Sequence, residues 1–96
     1  MLQLSTITKI KDPNSVIDYL LDWTAFLNQI GGDILLESDW TTTDTGLTIL
    51  QQTFTTTQTT VWIAGGTPPL SSIVNHITTA GGRQQDQTIH LKIRSL

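Results

Sequence analysis

The sequence predicts an all-β fold, a small two-layer sandwich of about seven antiparallel strands, and three observations carry that expectation. First, Ile73, Asn75, Ile77 and Thr79 alternate with Val74, His76 and Thr78, and Ile89, Leu91 and Ile93 alternate with Thr88, His90, Lys92 and Arg94. Such a period of two gives a strand one face toward a core and one toward water. Second, the glycine pairs Gly65-Gly66 and Gly81-Gly82 separate these segments from each other and from Val61-Trp62-Ile63-Ala64, as turns between consecutive strands do. Third, 96 residues suffice for one domain and one core, so we expect residues 1–96 to form a single unit that recruits nearly all its apolar side chains.

The elements follow in order, with strands expected over residues 3–10, 16–23, 33–41, 47–53, 59–64, 71–79 and 87–94. The amino-terminal third admits two readings. Asp12 as a cap, Pro13 at the first helical position, Val16, Leu20, Trp23 and Leu27 on one stripe, and Gly31 as a stop describe an amphipathic helix. The same letters describe a strand with Ile17, Tyr19, Leu21 and Trp23 on one face. The β character of the rest of the chain favours the strand, followed by a short helical turn over residues 24–28. Gly31-Gly32 then breaks the chain, and Ile34, Leu36, Ser38 and Trp40 alternate in a central strand. The expected core comprises Trp23, Leu36, Trp40, Val61, Ile63, Ile73, Ile77, Ile89 and Leu91, with Tyr19 also inside and its hydroxyl in need of a partner.

Composition narrows the function. Eight acidic residues against five basic ones give a formal charge of −3, and no run of Lys or Arg offers a track for phosphates, so no nucleic-acid partner is expected. Lys9, Lys11, Lys92 and Arg94 read as a solvated strand edge that resists unwanted pairing. There is no cysteine for a disulfide or a thiolate metal site. No stretch approaches membrane-spanning length, so no membrane insertion is expected, and the first residues do not read as a secretion signal.

Catalytic and metal-binding materials are scarce. The two histidines, His76 and His90, share no recognised ligand spacing and have no third ligand indicated, and nothing around Ser71-Ser72 announces a nucleophile. Gly65-Gly66 precedes Thr67-Pro68-Pro69 rather than a lysine and a helix start, which excludes a phosphate cradle. We therefore expect no enzyme activity, no cofactor and no metal. The threonine clusters read as solvated β surface. What remains are interface candidates. Gly81, Gly82 and Arg83 form a hairpin tip that reaches a neighbouring carboxylate, and Trp62, of opposite parity to Val61 and Ile63, provides an apolar platform outside the sandwich. A second reading of that platform is a glycan-binding module using Trp62, Thr60, His76 or His90.

Lys11-Asp12-Pro13, the Asp-Tyr-x-x-Asp-Trp segment from Asp18 to Trp23, the Trp40 strand, Thr57 through Trp62 with Gly65-Gly66, and Asn75-His76-Ile77-Thr78-Thr79-Ala80-Gly81-Gly82-Arg83 together resemble the phage fiber-tail adaptor proteins of tailed bacteriophages. The likeness runs over nearly the whole chain. It implies an immunoglobulin-like β-sandwich located in the tail region of the virion and synthesised in the bacterial host cytoplasm. It also implies contacts with phage tail and fibre proteins in multiple copies of a symmetric assembly, without catalysis. Two features depart from the family pattern: the connection from Thr24 to Gly32 contains Phe26, Leu27 and Ile30, and Pro68-Pro69 stiffens a turn that in similar proteins tends to contain small or polar residues.

Overall fold

Among the described residues seven strands lie in two sheets, as expected of a sandwich, with one short helix beside them. The computed structural model describes residues 6–96; residues 3–5 of the expected first strand lie outside them. The order is β1 (Ile7–Lys11), β2 (Val16–Asp22), α1 (Thr24–Gln29), β3 (Leu35–Thr41), β4 (Leu47–Phe54), β5 (Gln58–Gly65), β6 (Leu70–Thr79) and β7 (Gln84–Ile93). One sheet has the order β1-β7-β6-β3, the other β2-β5-β4. The region with two readings resolves into a strand followed by a helix. Asp22 Oδ1 accepts from the Thr24 amide at 2.9 Å at the start of α1, and Gly31 and Gly32 take positive φ beyond its end.

One pairing departs from the all-antiparallel expectation. β1 runs parallel to β7, with Ile7 opposite Ile89 and Lys11 opposite Ile93, while the other strand pairs are antiparallel. Alternation in a sequence reports which face a residue occupies, not the direction of its neighbour, so the period-two pattern could not have distinguished the two.

The core lies between the sheets. Val61, Ile63, Ile73, Ile77, Ile89 and Leu91 are buried, as are Trp23 and Trp40, and Phe26 and Leu27 of α1 close one end. The Trp23 and Phe26 rings meet edge to face with centroids 5.4 Å apart. Leu36 is the exception to the expected core: it is 57% exposed, and Leu35 is buried instead. The pairing with β6 shifts between Leu35 and Glu37, and this irregularity inverts the side-chain parity ahead of Ser38 and Trp40. Tyr19 is half-buried, and its buried hydroxyl finds no hydrogen-bond partner among the described residues; burial raises its pKa.

Threaded through this apolar layer is a chain of polar contacts. Trp23 Nε1 donates to Asn75 Oδ1 at 2.9 Å, and Asn75 Nδ2 donates to Ser38 Oγ at 2.9 Å and to the Asp39 carbonyl at 3.2 Å. Ser38 Oγ and Thr59 Oγ1 lie 2.7 Å apart, and Trp40 Nε1 donates to Thr59 Oγ1 at 2.8 Å. Thus both buried indoles are satisfied by side chains of distant strands, joining the β2–α1 junction to β6 and β3 to β5. Thr59 is buried, which removes it from the solvated surface expected of the threonine clusters, and Thr79 is buried on the parity it shares with Ile73 and Ile77.

Lys11 is likewise not part of a solvated edge. It is buried, and its Nζ donates to the carbonyls of Asp12 at 3.0 Å, Ser15 at 2.7 Å and Gly65 at 2.7 Å. These three acceptors match the three donors of an ammonium, so the charge is accommodated where the β1–β2 and β5–β6 connections meet. Burial lowers the Lys11 pKa from its ordinary value, with the Asp12 carboxylate opposing the shift.

Candidate interaction surfaces

The hairpin between β6 and β7 turns at Ala80-Gly81-Gly82-Arg83. Its geometry explains both glycines. Gly82 sits at φ +85°, in the left-handed region, and a Cβ on Gly81 would come within 2.7 Å of Asp33 Oδ2 and of Arg83 Nη1. The sequence-expected neighbouring carboxylate is therefore Asp33, in the connection before β3. Arg83 Nη1 lies 3.0 Å from Asp33 Oδ2, and the Gly81 amide donates to Asp33 Oδ1 at 3.1 Å. The Thr79 hydroxyl, then the Ile34 and Gly81 amides and the Arg83 guanidinium, hold the Asp33 carboxyl down at about 2 from an ordinary 3.8, with burial opposing them. Asp33 is mostly covered while the Arg83 side chain is half-exposed, so the tip presents a guanidinium held in place from behind, with donors left over for a further acceptor.

Trp62 lies on the outer face of the three-stranded sheet. Val61 and Ile63 on either side are fully buried, whereas Trp62 is 41% exposed, as its parity requires. Asp18 and Gln51 stand directly opposite it on β2 and β4. Val16 and Leu20, paired with Ala64 and Thr60, flank it diagonally within reach of a large ring, and both are exposed. On β4 the register shifts between Ile49 and Gln51, leaving Leu50 exposed beside this face. The result is an apolar strip along a sheet face, with Asp18 as its charged neighbour.

Other polar clusters are engaged in holding loops. Asp44 Oδ1 accepts from the Gly46 amide at 2.8 Å and the Thr67 hydroxyl at 2.6 Å, and Oδ2 from the Thr67 amide at 2.8 Å and the Ser71 hydroxyl at 2.7 Å. The Thr67 and Ser71 hydroxyls lead in holding its pKa well below the usual carboxylate range. A carboxylate so fully occupied tethers the β3–β4 and β5–β6 connections and is a poor general base. It borders an open groove of about 480 Å³ lined also by Leu70, Ser72 and His90. His76 bonds Asp86 across the β6–β7 pair, whereas His90 stands opposite Ser72. These two rows are roughly 13 Å apart at about 3.3 Å per residue, so the histidines share a face without sharing a site. Among the described residues no three His, Cys, Asp or Glu side chains group as a metal site, and no helix is long and apolar enough to cross a membrane.

The family model described as podophage GP4 fiber-tail adaptor protein gp77 matches residues 11–92. This chain belongs to that family. The match begins at the last residue of β1 and takes in the whole of β2 through β6 and nearly all of β7, so both the Trp62 face and the Arg83 tip fall within it. Membership identifies a noncatalytic structural adaptor of the phage tail, in agreement with a molecule whose best-placed carboxylates are committed to loops and turns. No curated protein matches the chain.

Proposed function

We propose that residues 1–96 act as one adaptor domain between the phage tail and its fibre, with the Trp62 face and the Gly81-Gly82-Arg83 tip as its contact surfaces. The observation that carries this reading is the outer face of the three-stranded sheet, where Trp62, Val16, Leu20 and Leu50 stand exposed together on rigid strands. Large aromatics beside aliphatics on a pre-formed surface are the usual anchors of protein contacts, and a held guanidinium supplies a directed polar contact. In this reading the two sheets adopt an immunoglobulin-like arrangement, the chain is made in the host cytoplasm, and several copies enter a symmetric tail assembly. A glycan-binding module is less well supported. Trp62 and Thr60 lie on the outer face of one sheet and His76 and His90 on the outer face of the other, so the four do not form a common platform.

Incorporation into particles tests the proposal. Trp62→Ala and Arg83→Ala should each leave the isolated fold intact, within about 1 kcal/mol for a half-exposed cross-strand residue or a surface ion pair. Each should reduce recovery of the chain in assembled tails. Normal incorporation of both variants would remove these surfaces from the proposed contact, and absence of the wild-type chain from purified virions would remove the adaptor role.

A further inference from the structure

The outer face of the four-stranded sheet is electrically divided, and the division fits a second copy of this chain. Of the five basic residues, Lys11 is buried among carbonyls and Arg83 is paired with Asp33. The remaining three, Lys9, Lys92 and Arg94, have no ion-pair partner among the described residues. Two of them share the outer face at one end of the β1–β7 pair: Lys92 points outward opposite Ile10, and Arg94 continues the parity of Lys92 past the end of β7, whereas Lys9, opposite the buried Leu91, lies on the other side of β1. The other end of the same face is acidic. Asp39 on β3 is opposite His76 on β6, which is opposite Asp86 on β7, and Glu37 lies outward one row further along β3. Glu37 and Asp39 are exposed and have no side-chain partner among the described residues.

Between the two poles the outward residues are small and uncharged. Ser72, Val74 and Thr88 are half-buried and Thr8 is exposed, with His90 the only titratable side chain among them. From the Asp86 row to the Lys92 row is about 20 Å at roughly 3.3 Å per residue. A two-fold axis lying in this face and crossing the strands lays the acidic corner of each copy over the basic corner of the other, with the flat middle rows in contact. This is the self-complementarity that an isologous pair requires. A parallel stacking would instead oppose like charges.

We propose that two copies of the chain stack through the outer face of the β1-β7-β6-β3 sheet, Glu37 and Asp39 of each facing Lys92 and Arg94 of the other. The proposal deepens the multi-copy part of the adaptor reading and rests on it. Strands of five, ten, ten and seven residues, each about 4.8 Å wide and about 3.3 Å long per residue, give a face of about 500 Å², or roughly 1,000 Å² buried over both copies, the low end for a specific contact. Such a pair is weak and depends on its charges.

Sedimentation equilibrium of the full chain provides the test. The wild type should form dimers in about 20 mM salt, and association should weaken at least about tenfold in about 500 mM salt, where the screening length falls below the charge spacing. The variant Lys92→Glu/Arg94→Glu should be monomeric, and so should Glu37→Lys/Asp39→Lys. An equimolar mixture of the two should dimerise again, because each reversed corner then faces its opposite; restoration in the mixture also shows that both variants are folded. A wild type that stays monomeric in low salt, variants that associate as the wild type does, or a mixture that stays monomeric would each overturn the proposal. Virions that contain the chain, with either reversed variant incorporated normally, would refute the stacking alone, whereas virions without the chain would refute the adaptor reading beneath it.

Discussion

Replacing Asn75 with alanine should strike the fold at its most connected polar residue. Asn75 is fully buried, accepts from the Trp23 indole at 2.9 Å, and donates to Ser38 Oγ and the Asp39 carbonyl. The substitution leaves the buried Trp23 N–H without its acceptor, at a cost of about 1–3 kcal/mol. Lost donors and the small cavity bring the total to about 3–4 kcal/mol. A domain of this length has roughly 5–14 kcal/mol of stability, so the variant should still fold and show a measurable urea transition. A double-mutant cycle isolates the central contact. In a Trp23→Phe background the indole N–H is already gone, and Asn75→Ala should then cost less by about 1–2 kcal/mol. Urea unfolding of the four proteins, with unchanged m-values, reads this directly. A coupling within about 0.3 kcal/mol of zero would show that the Trp23–Asn75 contact does not contribute as its geometry indicates.

Three further perturbations probe other parts of the fold. Trp40→Ala should cost about 3–5 kcal/mol by thermal or chemical unfolding, while Trp40→Phe, which keeps most of the volume and loses the bond to Thr59, should cost less by at least about 1 kcal/mol. Gly66→Ala should destabilise by about 1–3 kcal/mol, since Gly66 lies at φ +121° and a Cβ there would come within 2.7 Å of Ile93 Cδ1; melting temperature checks it. Acid should weaken the fold through Asp33: its folded pKa of about 2 lies below the ordinary 3.8, so the unfolded chain binds the proton first. The stability it contributes is full above about pH 4–5 and is lost as pH falls through about 2, and Asp33→Asn should show a shallower fall in melting temperature over that range.

Much of this architecture is written in the alternation of β5, β6 and β7, where each buried residue has a neighbour of opposite parity that is more exposed. Trp62 was placed outside the sandwich by that rule alone. Leu36 was misplaced because a bulge leaves no mark in a run such as Ile34-Leu35-Leu36, where every residue is apolar and either parity looks acceptable. The buried polar chain was partly legible. Asn75 falls on the parity of Ile73 and Ile77, which signals a buried amide, but its partners come from the β2–α1 junction and β3, and a sequence does not state which segments lie across the core. Thr59 was hidden among neighbouring threonines, and Lys11 among other cations, because the acceptors that make their burial tolerable are supplied by segments distant in the chain. At the hairpin tip the glycines and Arg83 were evident. That Asp33 is the carboxylate they meet depends on β3 pairing with β6, a long-range fact.

The parallel pairing of β1 with β7 gives the fold a direction in which it resists force. Tension applied to the chain ahead of β1 and beyond β7 pulls these neighbouring strands in opposite senses along their own length. The rungs between them are then loaded together, in shear, rather than opened one after another as in a hairpin pulled from its free ends. The buried Lys11 ammonium anchors the trailing end of β1 to the Gly65 carbonyl of the other sheet, and the Arg94 amide adds a further rung at the Lys11 carbonyl. An adaptor loaded through the two ends of its chain would find these strands clasped so that many bonds must break at once.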